Sequence, residues 1–389
     1  MAVVREGESI GDVTPIELFY DLVYVFAVTQ LAELIRGASG VDGVVRTAIL
    51  LAMVWQVWVY TAWLTNYLDP NHHAIRLLLV LLMLASLVLA ADIPHAFDRA
   101  GLQVAIIYVL TQLGRSIYAA AGLRGHALRI IFLRLVAWTA LGAIPMIAGG
   151  LLHGHVREGL WALGVAIELG GAAIGFATPG LGRSKTTEWT IDGAHFAERC
   201  QAFVLIALGE SIVVSGTTLS GLTHVHASEI VAFGMAFGAV VALWWVYFDR
   251  AAADSARVIA ESDDPGRLGR SAFHWVHPLI VGGVIVTAAA THEVLAHPLA
   301  HGSMRAAWLM IGGTALFLGG HAVFKAVIWR MPNWPRIVAV PALLLLLLLA
   351  PHVTSIVLAI PIVLIIAAVI VSDRFAHGSS NVGEAGRKA

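Results

Sequence analysis

The segment that decides the fold runs from His195 to Gly216 and reads HFAERCQAFVLIALGESIVVSG. It begins with the charged side chains His195, Glu198 and Arg199 and continues as an apolar helix long enough to enter a bilayer. Glu210 lies deep in that helix, where a carboxylate must be paired, hydrated or protonated because an unpaired charge in hydrocarbon is costly. The segment therefore indicates a membrane helix with an acid at a position of functional interest.

The composition of the whole chain agrees with this interpretation. Of 389 residues, 59% are hydrophobic and 13% are charged, whereas soluble domains carry roughly 25% charged residues. Apolar runs of about 20 residues, the length that crosses a hydrocarbon core, recur along the chain. Alternating segments of about 10 residues, typical of a membrane β-barrel, do not occur in the sequence. The predicted fold is an all-α polytopic membrane protein.

The hydrophobic runs predict about twelve transmembrane helices. Prolines at 341, 351 and 361 interrupt the last two, so a single broken hairpin after residue 330 is the alternative there. Lys and Arg are concentrated in the tails and loops on the side of the N-terminus, and the positive-inside rule then places both termini in the cytoplasm. The predicted spans are 16–35, 43–65, 74–93, 101–121, 127–150, 159–178, 198–217, 228–249, 274–294, 305–328, 337–351 and 353–371.

The two halves of the chain resemble each other. Leu22–Gln30 is similar to Ala202–Glu210, and the Trp-Val-Tyr sequence at 58–60 occurs again at 245–247. Six spans per half would make both halves enter the membrane in the same sense, so two parallel six-helix repeats are predicted. Chance similarity between apolar helices is the alternative. The predicted segments are a cytoplasmic tail 1–15, a first repeat 16–178, a cytoplasmic linker 179–194, a second repeat 195–371 and a cytoplasmic tail 372–389.

The first span opens with Thr14-Pro15-Ile16-Glu17, a capping box with proline at the first helical position. Glu17 would simply cap the helix in the plainest interpretation. However, Glu17, Asp21 and Tyr24 lie along one helical stripe, and Asp21 lies about 7 Å inside the helix. Asp21 is therefore predicted either to have a function or to form a buried structural pair.

Further polar residues are predicted deeper in the membrane. Carboxylates inside a helical bundle mostly face its interior and serve a pathway or a pairing, and a buried acid bonded to a neighbouring helix is the alternative. Gln30 corresponds in the first half to Glu210 in the second, so an amide and an acid would occupy equivalent depths. The candidates for transport or ion binding are Glu210, Asp21, Glu198, Glu17, Gln30, Ser211 and Glu168.

Buried cations are the expected counter-charges of these acids. Arg115 and Arg134 fall at roughly the depth of Asp21, which suggests an inner ionic layer containing these three residues and Glu198. Such a layer would either serve a pathway or only lock helices together. Two further residues, Arg199 and His195, are expected as a counter-charge and a proton partner, because imidazole titrates near neutrality.

Other functional classes find little support in the sequence. The single cysteine excludes an internal disulfide, and the 17 histidines do not suggest a set of three or four converging metal ligands. No nucleophile elbow, zinc-protease motif or phosphate-binding loop occurs, so the protein is not expected to be an enzyme. A net charge of −1 without a basic patch argues against nucleic-acid binding. The prediction is therefore no cofactor, no metal and no nucleic acid, with the lipid bilayer and a small solute or ion as partners and the oligomeric state open.

Two motifs resemble the bacterial low temperature requirement A (LtrA) family. They are PIELFYDLVYVFAVTQL at 15–31 and HFAERCQAFVLIALGESI at 195–212. Tyr20 and Tyr24 stand where phenylalanine is expected, and Cys200 stands where histidine is common. The resemblance implies a multi-pass protein of the bacterial plasma membrane that is linked by its family name to growth in the cold. It implies no particular substrate.

These observations favour transport or permeation of a small solute or ion along a path lined by the first and seventh spans. Buried carboxylates would carry the step. The alternative is a non-transporting membrane sensor or scaffold involved in cold or stress adaptation, in which the buried charges are structural.

Overall fold

The computed structural model describes residues 4–5, 13–38, 40–186, 192–249, 255, 257–259 and 261–385, with side chains as far as residue 375. Within these ranges the chain is built from helices and contains no β-strand. The predicted all-α class is therefore confirmed for the described residues.

Six long helices precede the polar linker, and each begins at a turn or cap that the sequence supplies. Proline at the first position and the Thr14 cap start the first helix, as expected from its capping box. The helices are α1 (Pro15–Gly37), α2 (Gly40–Tyr67), α3 (His73–Asp92), α4 (Gly101–Gly122), α5 (Arg129–Leu151) and α6 (Gly154–Ala173).

The remaining helices follow the linker. Between the helices Pro265–Gly269 and His277–Ala296 the chain forms a π-helical segment, Arg270–Val276, in which the backbone is wound more widely than in an α-helix. The helices are α7 (Gly193–Ser220), α8 (Ala227–Phe248), α9 (Pro265–Gly269), α10 (His277–Ala296), α11 (Met304–Trp329), α12 (Trp334–Leu345) and α13 (Ser355–Ala385).

Eleven helical segments in the described residues are long and apolar enough to cross a membrane. The prediction of twelve spans is thus not confirmed. The predicted span 159–178 corresponds to α6, which is a helix but is not among the eleven. The charged residues Arg157, Glu158 and Glu168 lower its hydropathy. The last two predicted spans form separate segments, Trp334–His352 and Ser355–Phe375.

The chain divides into two compact units. The first contains Met1–Ile206 and Ala256–His274, and the second contains Ala207–Ser255 and Trp275–Ala389. The predicted arrangement as two parallel repeats remains a prediction.

In the first unit, α2 is the central helix, since 83% of its most apolar window is buried. Its indole rings Trp55 and Trp58 pack against Phe203 of α7, with ring centroids 5.4 and 4.7 Å apart. In the second unit, α10 and α11 approach closely at Gly283, where a Cβ atom would lie 2.4 Å from the backbone nitrogen of Phe317. The core is therefore aromatic in one unit and depends on a backbone contact at glycine in the other.

Candidate functional site

A cluster of buried charges lies in the first unit where α1 begins. The carboxylate of Glu17 accepts hydrogen bonds from the backbone nitrogen and the hydroxyl of Thr14, at 3.0 and 2.8 Å. The predicted capping box is therefore present. Only Oε2 makes these contacts, so Oε1 of Glu17 remains for a partner from another helix.

That partner is Arg199 of α7. Its Nη1 donates to Glu17 Oε1 at 3.0 Å, and its Nε and Nη2 donate to the two carboxylate oxygens of Asp21 at 2.8 and 2.5 Å. A second bond from Nη1 reaches the hydroxyl of Thr65 at 3.1 Å. All three charged side chains are fully buried. The planar guanidinium thus binds Asp21 through two parallel bonds, the strong geometry of an arginine–carboxylate pair.

The indole nitrogen of Trp58 completes the coordination of Asp21 by donating to Oδ1 at 2.7 Å. Every carboxylate oxygen of Glu17 and Asp21 then has at least one donor at hydrogen-bond distance. A solute that bound either acid would have to displace one of these donors. The cluster formed by Glu17, Asp21, Arg199 and Trp58 is therefore a saturated site, and below we call it the saturated cluster.

The imidazole of His195 borders this cluster. Its Nε2 lies 3.0 Å from Glu17 Oε1, and its Nδ1 lies 3.2 Å from the amide nitrogen of Asn66. The backbone of Asp192 fixes the orientation of that amide, because it donates to Asn66 Oδ1 and accepts from Asn66 Nδ2. Nδ1 of His195 thus accepts from the Asn66 amide, whereas Nε2 lies near Glu17 but makes no hydrogen bond within the described residues.

Two carboxylates face one guanidinium in this cluster, so the acids outnumber the arginine and leave an excess of acidic groups. Glu17 lies in the first turn of α1 and His195 in the first turn of α7. A helix N-terminus is equivalent to roughly +0.5 of an elementary charge, and these two N-termini offset part of the excess. The cluster is therefore electrostatically compensated by backbone as well as by side chains.

The predicted inner ionic layer is wrong in its membership. Glu198 is exposed, because it points about 100° around the axis of α7 from the buried Arg199. Arg115 donates to the backbone of Val57, to Thr61 and to Gln112. The guanidinium of Arg134 instead donates to the linker, at the carbonyl of Leu181 and the hydroxyl of Ser184. Arg199 was predicted as a counter-charge, and it is the arginine that pairs with Asp21.

Glu168 of α6 lies in a second buried polar network of the same unit. Its Oε2 accepts from the Tyr108 hydroxyl at 2.6 Å and from the Gln112 amide at 3.0 Å. Gln112 in turn accepts from Arg115 Nη2 at 2.6 Å. Gly142 of α5 leaves room beside the acid, since a Cβ there would lie 3.3 Å from its Cγ. In the described ranges, both hydrogen-bond donors to Glu168 are neutral and no cation forms an ion pair with it.

The other candidates lie elsewhere. Gln30 lines an open polar pocket near the far end of α1, together with Glu33 and Asp42. Glu210 and Ser211 belong to the second unit, where they are 2% and 1% exposed. Both are thus buried as expected from the apolar sequence around them.

Several neutral polar residues of these networks were missed in the sequence. On α4, Tyr108 and Gln112 follow the helical spacing i, i+4 and form one buried stripe with Arg115 at i+7, which the sequence did predict as a counter-charge. On α2, Trp58 and Thr65 lie two turns apart on the side that meets Asp21 and Arg199. The periodic polar stripe of α4 is a signal that could have identified its members. Trp58 and Thr65 have no such signal because both residue types also occur in ordinary membrane helices.

This fold and site define a multi-pass helical membrane protein with buried acids. The family model described as "Bacterial low temperature requirement A protein (LtrA)" matches residues 12–371, and the chain belongs to that family. An uncharacterized protein of Rhizobium meliloti is 33% identical over 342 residues, which are 87% of this chain and 83% of that protein. No solved structure matches the chain. The resemblance predicted from the two motifs is therefore confirmed.

Proposed function

We propose that the protein is a transporter or permeation pathway for a small ion, and that Glu168 is a carboxyl group that binds the ion or a proton. The observation that carries the proposal is the pair of neutral donors, Tyr108 and Gln112, at a buried carboxyl group. A buried carboxylate without a cation is costly, so it favours binding a proton or a small cation. Glu210 is the corresponding candidate in the second unit.

The hydrogen bonds around Glu168 indicate that Arg115 positions the neighbouring polar groups. Tyr20 donates to the Thr61 hydroxyl at 3.0 Å, and Arg115 donates to the same hydroxyl at 3.2 Å. Arg115 then reaches Glu168 only through the amide of Gln112. The arginine thus holds the amide in one orientation without neutralising the acid directly, and this leaves Glu168 able to exchange its bound proton or cation.

Flux measurements in proteoliposomes test this proposal. Proton entry is followed with entrapped pyranine under a potassium–valinomycin diffusion potential, and uptake of radioactive sodium and rubidium is measured in parallel. We expect at least one of these fluxes to exceed that of empty liposomes and Glu168→Gln to lower it at least tenfold. Glu198→Gln, which changes an exposed acid, is the matched control and should keep the flux. Wild-type protein without flux, or a Glu168→Gln variant with normal flux, would refute the assignment.

A non-transporting sensor or scaffold for cold or stress adaptation is the second candidate. The observation that favours it is the saturated cluster, in which the acids already have donors and need no solute. On this hypothesis Asp21→Asn lowers the yield of folded protein, and no variant changes flux because wild-type liposomes are tight. The same proteoliposome series therefore separates the two candidates.

The proposed location is the bacterial plasma membrane, with both termini in the cytoplasm. An even number of crossings is needed for both termini to face the same side, so α6 must cross as a twelfth span in addition to the eleven apolar ones. Paired fluorescent-protein and alkaline-phosphatase fusions at each terminus test this topology. Fluorescence without phosphatase activity at both ends is expected, and phosphatase activity at one end would leave α6 outside the membrane.

A further inference from the structure

An open-mouthed cavity lies in the first unit at the end where α2 and α6 finish and α5 begins, and its empty volume of about 510 Å³ includes the space at that mouth. The saturated cluster and the Glu168 network do not contribute a side chain to its walls. The walls are formed by Tyr60, Trp63, Leu64, Tyr67, Ile131, Phe132, Leu135, Ala172, Phe176, Arg270 and His274.

Two unusual backbone segments shape this cavity. The π-helical segment Arg270–Val276 supplies Arg270 and His274, and π-helical turns are frequent at functional sites. The indole nitrogen of Trp55 donates to the carbonyl of His274 at 3.0 Å, which satisfies a backbone acceptor of the widened turn. Phe176 adopts φ of +52°, a left-handed conformation that is unfavourable for a bulky residue. The chain thus maintains locally costly conformations where it forms these walls.

Two polar groups of the cavity wall carry the argument, the guanidinium of Arg270 and the hydroxyl of Tyr60. Arg270 is half-buried, and its Nη1 donates to the carbonyl of Ala172 at 2.8 Å, which directs the guanidinium to the cavity wall. The hydroxyl of Tyr60 is buried and makes no hydrogen bond within the described part of the chain. The rest of the lining is mainly aromatic and aliphatic. A ligand that fits this lining has an apolar body and one negatively charged head.

We propose that this cavity binds an amphiphilic monoanion, with the apolar body among the aromatic side chains and the anionic head at Arg270. A free long-chain carboxylate and the monoanionic headgroup of phosphatidylglycerol share this chemistry. Trp63 and Ile131 are only partly buried, so ligand enters past them from the side of the surrounding lipid or detergent. The proposal rests on the cavity and holds whether or not the protein transports an ion.

Quenching of tryptophan fluorescence by brominated probes tests the site in the detergent-purified full chain. Dibromostearate and brominated phosphatidylglycerol are the two anionic arms, and brominated phosphatidylcholine and a brominated alkane lack a net negative head. We expect saturable quenching by at least one anionic probe, and we expect Trp63→Phe to remove a defined part of it among the 12 tryptophans. Saturation by the carboxylate alone identifies a free fatty acid, and saturation by the phospholipid alone identifies a lipid headgroup.

Two pairs of variants locate the head and the body of the bound probe. Arg270→Gln should weaken binding of the anionic probe about tenfold or more, because a hydrogen bond to a charged group is lost, and Arg270→Lys should weaken it less. Arg267→Gln, which removes a cation outside the cavity, is the matched control. Ile131→Phe fills the cavity and should abolish saturable quenching, whereas the neighbouring Ile130→Phe, on an exposed side chain, should not.

Three results would overturn the proposal. Quenching that rises without saturation for every probe would indicate simple partition into the detergent layer. Equal losses of probe binding for Arg270→Gln and Arg267→Gln would show that the anionic head does not bind at Arg270. Equal quenching in the two isoleucine variants would place the probe elsewhere. Each variant is first compared with the wild type by gel filtration, and Arg270→Lys keeps the head test available should Arg270→Gln fail to fold.

Discussion

Replacing Arg199 by glutamine removes the cation that joins α1 to α7 in the first unit. The wild-type guanidinium makes three bonds to the two carboxylates and one to Thr65. Glutamine is shorter and neutral, so both acids stay buried while their common cation disappears. The two carboxylates then also repel each other, since no charge between them compensates.

The expected loss can be set from buried ion pairs in general. Breaking such a pair by removing one partner costs about 3–5 kcal/mol in the free energy of unfolding. Arg199 serves two buried acids, so the loss should lie at the upper end of this range. Arg36→Gln is the control, because Arg36 of α1 pairs with Glu33 at the partly exposed end of the helix. A pair of that kind contributes at most about 1 kcal/mol.

Unfolding by sodium dodecyl sulfate in mixed micelles, followed by tryptophan fluorescence, measures both variants. The double variant Asp21→Asn with Arg199→Gln completes a thermodynamic cycle. It should lose clearly less than the sum of the two single losses, since the second change removes a charge that the first left unpaired. An Arg199→Gln variant within 1 kcal/mol of wild type, or additive losses in the cycle, would refute the interpretation of the cluster as a buried ionic clamp.

Three further changes test other contacts by the same unfolding measurement. Trp58→Phe keeps the aromatic packing but removes the donor to Asp21, so it should cost about 1.5–3 kcal/mol; the exposed Trp308→Phe should not change stability. Gly283→Ala places a Cβ against the backbone of Phe317 and should cost about 1–3 kcal/mol, whereas Gly312→Ala meets no atom within 4 Å and should be neutral or slightly stabilising. Arg336→Lys loses the two-bond pair with Asp373 and the bond to His321, so it should cost about 1.5–3 kcal/mol in the free energy of unfolding. Arg305→Lys, at the half-exposed pair with Glu293, should leave the stability unchanged. Equal effects of a variant and its control would contradict the corresponding contact.

The sequence predicted the helical fold because membrane helices are recognisable from length and hydropathy alone. Eleven of the twelve expected spans need only that rule, together with caps such as Thr14 and Pro15. Length and hydropathy were insufficient for α6. This helix is long enough to be a span, but Arg157, Glu158 and Glu168 make it less hydrophobic than the other spans. Whether such a helix crosses depends on where its charges are buried, and this depends on neighbouring helices.

The charged residues of the candidate site were named from the sequence, but its neutral partners and part of its pairing were not. Helical periodicity placed Glu17 and Asp21 on one stripe, and both are buried there. Depth along the helices suggested Arg115 and Arg134 as partners, but depth does not give the rotation of a helix about its axis. The rotation of α7 turns Arg199 towards α1 and leaves Glu198 exposed. Adjacent residues of a helix point in different directions, so the correct partner could be found only from the packed structure.

The contacts of Asp21 and Glu168 differ, and this difference leads us to predict different roles for the two acids. A group that binds a transported ion must exchange its bound partner, and Asp21 cannot do so without breaking the pair with Arg199, which costs several kcal/mol. Glu168 is held by a phenol and an amide, and displacing a neutral donor leaves no buried cation behind. Asp21→Asn should therefore reduce stability, whereas Glu168→Gln should retain stability and reduce flux. If Glu168 had the same structural role as Asp21, Glu168→Gln would unfold more easily while the flux stayed unchanged. That result would refute the distinction between a structural Asp21 and an ion-binding Glu168.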